Sequence, residues 1–470
     1  MKIFKCLLLV ILMTGLSFGT AFSAPIPLRG VVEGFYGTPW TFEDRAALME
    51  FCRRQNLNAY IYAPKDDPYH RDKWRQPYPF EKLHELENLV DVAKKNNVRF
   101  VFAVSPGLDL KYSGKNGDAD FKLMMKKLDA MYEIGVRHFA LFFDDLKDNN
   151  GKHHEKGKLQ ANFINKVQNE LRVKHSDVAP LIVVPTEYYR LDMISNRGKV
   201  TSYTKDFAEN LDKKIIVLYT GDGVVCDGIS DEKFNEACEI YSCDLGIWWN
   251  YPVNDYALTL DGNRNAKLAL GAIEKLPTKN VQAIFFNPMG QPILSRIALA
   301  TGAEYANSPA LYDAKKSWNK AIDEQFGELA PAMKIFADHS QHMENSWAKV
   351  GAADAEEFNT LAYLAVANTR AKKAFDFSRL EKLIDDMENS ADTLLENLSP
   401  EILAECKPQL EQFKIIAQAD RIAVESLKSG SLDPNLKVLR EEIKKNSVTA
   451  LVSEKTAVKF IDDVLAFFEK

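Results

Sequence analysis

Hydrophobic and polar positions follow two alternating patterns over the first two thirds of the chain. Short apolar runs bounded by Gly, Pro, Asn or Asp are typical of buried strands in a parallel sheet. Longer stretches between them repeat apolar residues at helical spacing. The predicted strands are Leu28–Phe35, Asn58–Tyr62, Arg99–Val104, Arg137–Phe143, Leu181–Val184, Ile215–Tyr219, Leu245–Trp249 and Val281–Phe286. The predicted helices include Phe42–Gln55, Phe80–Asn96, Asp118–Ile134, Leu159–Lys174 and Pro292–Tyr305.

Eight strands separated by helices predict an α/β fold, a (β/α)8 TIM barrel, over residues 25–306. An open, doubly wound sheet is the competing architecture, but no GxGxxG pattern follows a predicted strand. In a barrel the chemistry lies on the loops after the strand C-termini. Those loops read EGFYGTPW, PKDDPYHR, SPGLD, DDLKD, PTEYY, TGDGVV, NYPVND and NPMGQ, so polar and aromatic residues collect at one end of the predicted barrel.

The pattern changes after Pro309, where helical spacing continues without strand-like runs. Leu380, Ile384 and Met387 illustrate the repeat of apolar residues every three or four positions. We therefore predict an all-α helical bundle domain over residues 307–470. No Gly/Ser-rich linker precedes it, which favours a domain docked firmly on the barrel, and its aromatic residues are expected in the core.

The N-terminal segment has the pattern of a targeting signal rather than of the fold. Lys2 and Lys5 precede a short apolar run, and small residues lead to Ala24. This order predicts a secretory signal peptide over residues 1–24, with an uncleaved anchor as the alternative. Because the apolar run is too short to span a bilayer, we expect an exported protein, periplasmic or secreted, with no membrane span after cleavage.

Composition narrows the class of partner. The chain has 470 residues and a formal charge of −6, and no basic, aromatic-rich segment predicts nucleic-acid binding. Five cysteines follow the predicted signal peptide at irregular spacing, which favours free thiols over a disulfide framework or a zinc site. Whether Cys238 and Cys243 pair stays open, as does the oligomeric state.

The segment RHFALFFDDLK, residues 137–147, carries the most informative polar residues. An apolar strand ends there in Asp144 and Asp145, which we expect to face different parts of one pocket, although an acidic loop is the simpler alternative. Asp145 is expected to be held protonated as a general acid, with ionised Asp144 keeping it neutral. His153 and His154 follow, but no second cluster completes a coordination sphere, so we predict no metal and no cofactor.

Adjacent aspartates suit neither of the usual glycosidase arrangements, which need an opposed nucleophile or a gap for water. They suit a third, in which the substrate's own 2-acetamido oxygen attacks the anomeric carbon while Asp144 orients the acetamide N–H. Further candidates lie at strand ends. The Tyr188 phenol could donate a hydrogen bond to the acetamido oxygen, and Trp248 or Trp249 could stack on the apolar face of the sugar. The polar side chains that could bind sugar hydroxyl groups are Lys65, Asn250, Asp255 and Asn287.

The motifs GVVEGFYGTPW, YAPKDDPYHR, FALFFDDL, PTEYY, WNYPVNDY and FNPM, in this order, resemble glycoside hydrolase family 84. The family comprises β-N-acetylglucosaminidases, O-GlcNAcases among them, and enzymes once named bacterial hyaluronidases. The resemblance covers about residues 28–305 and continues into the helical region that begins ALYDAKKSWNKAI. The small α/β domain that precedes the barrel in many bacterial relatives is not recognisable between the predicted signal peptide and the barrel.

The resemblance implies a role for each matched position. Asp144 matches the aspartate that steers the acetamide, Asp145 the general acid/base, and Tyr188 the tyrosine that hydrogen-bonds the acetamido group. The sugar-binding positions that it implies are Gly34 and Lys65 on the 3-hydroxyl side, Asn250 and Asp255 with Asn287 at the far hydroxyls, and Thr220, Val224 and Trp248 in the acetamido pocket.

Two segments depart from the pattern of the family. The sixth loop reads YTGDGVVCDGI where many members have Trp-Thr-Gly-Pro-Lys, which puts leaving-group contacts there in question. The seventh reads WWNYP, so Trp249 replaces a polar neighbour of Asn250. Neither departure removes a residue with an implied catalytic role.

The sequence therefore predicts a retaining exo-β-N-acetylglucosaminidase that acts on β-N-acetylglucosaminyl glycans or glycoproteins through an oxazoline intermediate. The alternatives are a non-catalytic glycan-binding or adhesion protein that keeps the sugar pocket, and a metal-dependent barrel hydrolase. The natural glycan and the purpose of the bundle stay open.

Overall fold

Eight parallel strands form a closed barrel in the computed structural model, which describes residues 24–146, 156–259 and 261–469. Each strand pairs with the next, and β1 pairs with β8, which excludes the open-sheet alternative. The predicted barrel is confirmed. The strands are β1 Leu28–Glu33, β2 Ala59–Tyr62, β3 Arg99–Val104, β4 His138–Phe142, β5 Ile182–Val184, β6 Ile216–Tyr219, β7 Gly246–Trp249 and β8 Ala283–Phe286.

Alternation along each strand explains why nearly continuous apolar runs form this barrel. One set of side chains fills the barrel interior, for example Val32, Val101, Phe142 and Phe285. The other set belongs to the larger core cluster that also contains the surrounding helices. Parallel strands that are buried on both faces are nearly continuously apolar, as the sequence pattern indicated.

Helices follow most strands of the barrel. In chain order they are α1 Phe42–Arg54, α2 Phe80–Lys95, α3 Gly114–Glu133, α4 Gly157–Lys174, α5 Arg190–Met193, α6 Ser202–Asn210, α7 Asp231–Tyr241 and α8 Ser295–Asn307. Within residues 250–259 and 261–282, the long connection from β7 to β8 contains no helix. This β7–β8 connection is held from the C-terminal region, since Leu270 N donates to Ser340 O (2.7 Å) and Gln409 Nε2 to Ala266 O (2.8 Å).

The C-terminal region is mainly helical and packs on the barrel. After a short 3-10 helix, Pro309–Leu311, it contains α9 Ala314–Phe326, a second 3-10 helix Gly327–Leu329, α10 Ala330–Asp338, α11 Glu356–Arg370, α12 Ser378–Asn397, α13 Pro400–Ser429, α14 Asn435–Asn446 and α15 Ala457–Phe468. The expectation of helices without strands is wrong in one respect, because β9 Met343–Glu344 and β10 Lys349–Val350 form an antiparallel hairpin.

The structure bears only in part on the predicted signal peptide, domain boundary, cysteine pairing and membrane span. Most of the predicted signal peptide, residues 1–23, lies outside the described residues. The predicted domain division at residue 306 falls in the last turn of α8. The five described cysteines are all free, Cys238 and Cys243 included. No helix in the described part of the chain is long and apolar enough to cross a membrane.

Candidate active site

A cavity of about 500 Å³ opens at the C-terminal ends of the barrel strands. This volume is in the range of small-molecule sites. All eleven positions to which the family resemblance gives a role line this cavity, whereas the further candidate Trp249 does not. The eleven positions are Gly34, Lys65, Asp144, Asp145, Tyr188, Thr220, Val224, Trp248, Asn250, Asp255 and Asn287.

The two aspartates reach the cavity by different backbone conformations. Asp144 lies directly beyond β4 and is buried. Strand alternation alone would send Asp145 the other way, but its backbone adopts the left-handed region, with φ of 54°. Asp enters this region more readily than most non-glycine residues, and here it turns the Asp145 side chain back toward the cavity. Both carboxylates therefore line the same cavity.

Lys65, in the loop after β2, lies between the carboxylates of Asp144 and Asp145. Its ammonium group forms a buried ion pair with Asp144 Oδ2 and lies 3.5 Å from Asp145 Oδ2. Burial would lower the pKa of Lys65, but the charges of Asp144 and then Asp145 raise it above its usual range, so the lysine stays charged. Asp144 Oδ1 is buried and accepts no hydrogen bond from the described residues, which leaves one acceptor for a ligand.

Asp145 is held by four groups that favour its ionised form. Burial would raise its pKa, but the Lys65 charge, the Tyr36 hydrogen bond (2.8 Å), the Arg71 charge and the Tyr188 hydrogen bond (3.2 Å) together lower it. Asp145 is thus ionised in the free site at neutral pH. The expectation that it is held protonated there is wrong, because these donors lie on other loops that the sequence does not place beside it.

Tyr188 extends from the loop after β5 and donates to Asp145 Oδ1. Burial, followed by the charges of Asp145 and Asp144, raises its pKa well above the usual value, so it remains a phenol donor. Its position is fixed by a hydrogen bond from Thr220 N to Tyr188 O (3.2 Å), which joins the loops after β5 and β6.

A chain of hydrogen bonds joins the ends of β8, β1 and β7 along one side of the cavity. Gly34 N donates to Asn287 Oδ1 (3.2 Å), and Asn287 Nδ2 donates to Asn250 Oδ1 (2.9 Å). Trp248 Nε1 donates to the same Asn250 oxygen (2.7 Å), while Asn250 Nδ2 donates to Val224 O (2.8 Å). Asn287 and Asn250 therefore fix the wall of the cavity as well as facing it.

Trp248 forms the aromatic wall and Trp249 does not. Trp248 packs edge-on against Phe142 at 5.2 Å and belongs to the cluster inside the barrel. Trp249 points to the other face of β7 and lies in the core between the barrel and its helices. The departure that placed Trp249 beside Asn250 therefore does not change the cavity wall.

Tyr36 and Arg264 are residues of the cavity that the sequence reasoning did not single out. Tyr36 N donates to Asp255 Oδ2 (2.6 Å), and Arg264 Nη1 donates to Asp255 O (2.8 Å). Burial raises the pKa of Asp255 even though the Tyr36 amide and Arg264 oppose this shift. Tyr36 stands inside the motif EGFYGTPW, which was the available signal, whereas Arg264 stands in no recognised motif.

The rim of the cavity includes one residue from beyond the barrel. Trp347, in the turn of the β9–β10 hairpin, lines the cavity with Tyr256 and Leu258 from the β7–β8 connection. Its ring lies 5.5 Å from that of Tyr256 and is 56% exposed. No sequence signal predicted this contact, because the region was expected to supply only core aromatics.

The described residues contain no group of three or more His, Cys, Asp and Glu side chains arranged to hold a metal ion. His153 and His154 lie outside the described residues.

A closed parallel barrel with paired aspartates, a phenol and an indole wall at its C-terminal mouth defines the class of (β/α)8-barrel glycoside hydrolases. A model of the family described as beta-N-acetylglucosaminidase matches residues 29–338, and one described as hyaluronidase post-catalytic domain-like matches residues 359–461. The chain belongs to this β-N-acetylglucosaminidase family, glycoside hydrolase family 84.

Relatives and solved structures agree with this assignment. Protein O-GlcNAcase of Mus musculus is 35% identical over 241 residues, which are 51% of this chain and 26% of that protein, and the Rattus norvegicus protein gives the same values. The match thus spans about a quarter of these relatives. The structure of CpGH84B superposes with a TM-score of 0.85 at 35% identity, over 94% of this chain and 77% of that one. A mutant of the Thermobaculum terrenum O-GlcNAc hydrolase gives 0.78 at 27% identity, over 93% and 94%.

Proposed function

We propose that the protein is a retaining exo-β-N-acetylglucosaminidase that releases terminal β-linked N-acetylglucosamine by substrate-assisted catalysis. Family membership supports hydrolysis of β-N-acetylglucosaminyl bonds. The observation that carries the mechanism is the arrangement of Asp144, whose Oδ2 is taken by Lys65 while its buried Oδ1 accepts nothing from the described residues. That oxygen is the acceptor for the acetamide N–H of the sugar.

In the first step the acetamido oxygen forms a bond to the anomeric carbon as the bond from that carbon to the leaving oxygen breaks. Asp144 holds the acetamide N–H, and Asp145 transfers its proton to the leaving oxygen. In the second step water attacks the anomeric carbon, Asp145 takes the proton of the water, and the bond to the acetamido oxygen breaks. Two inversions give net retention of the anomeric configuration.

Substrate binding supplies the protonated acid that the free site lacks. Tyr188 donates to Asp145 in the free site, and an acetamido oxygen takes that donor when the sugar binds. A bound sugar also excludes water from the half-buried Asp145 carboxylate. Both changes raise the pKa of Asp145 from its lowered value, so the protonated form becomes accessible in the complex.

The remaining residues hold the sugar and the aglycone. Asp255 lines the cavity and accepts from Tyr36 N through Oδ2, and its other carboxylate oxygen is assigned to a far hydroxyl group. Lys65 has a third N–H for the 3-hydroxyl side, where Gly34 also lines the cavity. Thr220, Val224 and Trp248 line the cavity and are assigned to the acetamido group, and Trp347, which lines the same cavity, is assigned to the aglycone.

Release of 4-nitrophenol from its N-acetyl-β-glucosaminide tests the activity. Turnover that survives a chelator supports the proposal, and loss of turnover with the chelator supports a metal-dependent hydrolase. No turnover by folded protein that still binds N-acetylglucosamine supports a glycan-binding protein. Asp144→Asn serves as the matched control, since it keeps the shape of the carboxylate and removes its charge.

The predicted signal peptide adds a proposal about location. Cleavage near Ala24 would place the enzyme outside the cytoplasm, periplasmic or secreted, where it meets glycans rather than cytoplasmic proteins. Cell fractionation with N-terminal sequencing tests this: a mature chain that begins near residue 25 supports export, and an intact Met1 in the cytoplasm contradicts it.

A further inference from the structure

We propose that Arg71 is a positioning residue that acts through Tyr36 to hold the Asp145 carboxyl in place for proton transfer to the leaving group. The proposal rests on the role of Asp145 in the proposed function. Arg71 lies in the loop after β2 and is not among the residues that line the cavity, so it reaches the chemistry only through other groups.

The two ends of the Arg71 guanidinium hold different parts of the acid. Nη1 donates to the Tyr36 hydroxyl (3.0 Å), and Nη2 donates to the backbone oxygen of Asp145 (3.4 Å). The backbone of Asp145 is left-handed, with φ of 54°, and the contact from Arg71 to its carbonyl oxygen helps to hold that conformation. Arg71 thus holds the backbone of the residue whose side chain must face the leaving group.

The contact with Tyr36 also fixes the direction of a proton. A guanidinium group only donates hydrogen bonds, so the Tyr36 oxygen must accept from Arg71. The Tyr36 hydrogen is then directed to its other partner, Asp145 Oδ2, at 2.8 Å. The backbone amide of Tyr36 is anchored on Asp255, which fixes the base of the ring. Arg71 therefore selects the arrangement in which the tyrosine donates to the acid.

This arrangement stabilises the carboxylate that forms when Asp145 gives up its proton. The Tyr36 hydrogen bond and the Arg71 charge are two of the groups that lower the pKa of Asp145. Removing either would raise the pKa of Asp145, which alone increases its protonated fraction. The loss of rate therefore comes from the lost orientation of the carboxyl group. The loss should appear only where the leaving group needs a proton, because an activated leaving group departs without one.

The experiment compares Arg71→Met and Tyr36→Phe on two N-acetyl-β-glucosaminides, one with 4-nitrophenol and one with methanol as leaving group. For both variants we expect kcat/KM to fall roughly 10- to 100-fold on the methyl glycoside and less than about 3-fold on the nitrophenyl glycoside. Arg71→Lys keeps the positive charge but cannot donate to Tyr36 and Asp145 from two separate nitrogen atoms, so it should restore only part of the kcat/KM that Arg71→Met loses. In Arg71→Met the basic limb of the kcat/KM profile should move to higher pH.

A double-mutant cycle separates this role from a structural one. In an Asp145→Asn background, Arg71→Met should cause no further loss, because the residue acts through the missing acid. Arg75→Met is the matched control; Arg75 lies in the same loop but pairs with Asp109 and Asp120. It should leave the ratio of the two rates unchanged.

Equal losses on both substrates, or losses that multiply in the Asp145→Asn background, would overturn the proposal. If Arg71→Met does not fold, the comparison of the two substrates is made with Tyr36→Phe, which removes only one oxygen atom. Failure of the wild type on the nitrophenyl glycoside would instead reject the proposed function, so the two failures are distinguishable.

Discussion

Replacing Gly34 by alanine tests whether the cavity wall formed by Gly34 and Trp248 is as closely packed as the structure shows. A Cβ atom at Gly34 would lie 2.4 Å from Trp248 Cζ2 and 2.7 Å from Cη2. Ordinary carbon contacts are about 3.5–4.0 Å, so the indole would have to move by about 1 Å. The alanine keeps the backbone N–H that donates to Asn287, so the variant isolates the steric effect.

Trp248 cannot move freely, because its indole N–H is bonded to Asn250 and its ring packs on Phe142. Overpacking of this kind costs about 1–3 kcal/mol of unfolding free energy. A displacement of about 1 Å in a positioning group costs on the order of 100-fold in rate. We therefore expect Gly34→Ala to fold with reduced stability and to lose roughly 10- to 100-fold in kcat/KM.

The assay combines denaturant unfolding with kcat/KM on the nitrophenyl N-acetyl-β-glucosaminide. Gly223→Ala is the matched control at the same end of the barrel, since its Cβ would meet nothing nearer than Val225 O at 3.5 Å. It should stay within about 3-fold of the wild type in kcat/KM. A Gly34→Ala protein with wild-type stability and rate would refute the assigned packing.

Three further predictions test other parts of the site and the fold. Asp145→Asn should reduce cleavage of the methyl glycoside far more than that of the nitrophenyl glycoside, whereas Asp144→Asn should slow both; equal losses in Asp145→Asn would contradict its role as acid. Trp347→Ala should raise KM several-fold for substrates with an aromatic or peptide aglycone and leave inhibition by free N-acetylglucosamine unchanged, and a matching loss for the free sugar would place Trp347 at the sugar instead. Burial raises the pKa of Glu405 to about 7, above its ordinary 4.5, so its ionisation destabilises the native state as pH rises through that interval. The free energy of unfolding of Glu405→Gln, measured with denaturant, should therefore rise by up to about 3 kcal/mol relative to that of the wild type as the pH goes from 4.5 to 7. A difference between the two proteins that does not change with pH would contradict the raised pKa.

The barrel was predictable because each of its strands is buried on both faces and carries a local apolar signal. The ends of the strands were predicted less accurately, since Arg137 and Phe143 were included in a strand that spans His138–Phe142. The β9–β10 hairpin was missed, because two strands of two residues leave almost no periodicity to detect. Its position at the cavity depends on long-range packing and not on any local pattern.

The site was predictable in its members and not in its electrostatics. Side chains after parallel strands meet at one end of a barrel, which is why the predicted residues line one cavity. The protonation of Asp145 depends instead on Lys65, Tyr36, Arg71 and Tyr188, which come from three other loops. Two adjacent aspartates in a sequence suggest mutual repulsion, whereas the folded site surrounds them with donors.

The central claim is that the sugar supplies the nucleophile, and the most direct test varies that nucleophile alone. Nitrophenyl glucosaminides with acetyl, fluoroacetyl, difluoroacetyl and trifluoroacetyl groups lower the basicity of the amide oxygen stepwise at nearly constant size. We predict that log(kcat/KM) falls steadily along the series, that the plain β-glucoside is not turned over, and that NMR shows the β-anomer as first product. A flat series, or good turnover of the plain glucoside, would contradict the account.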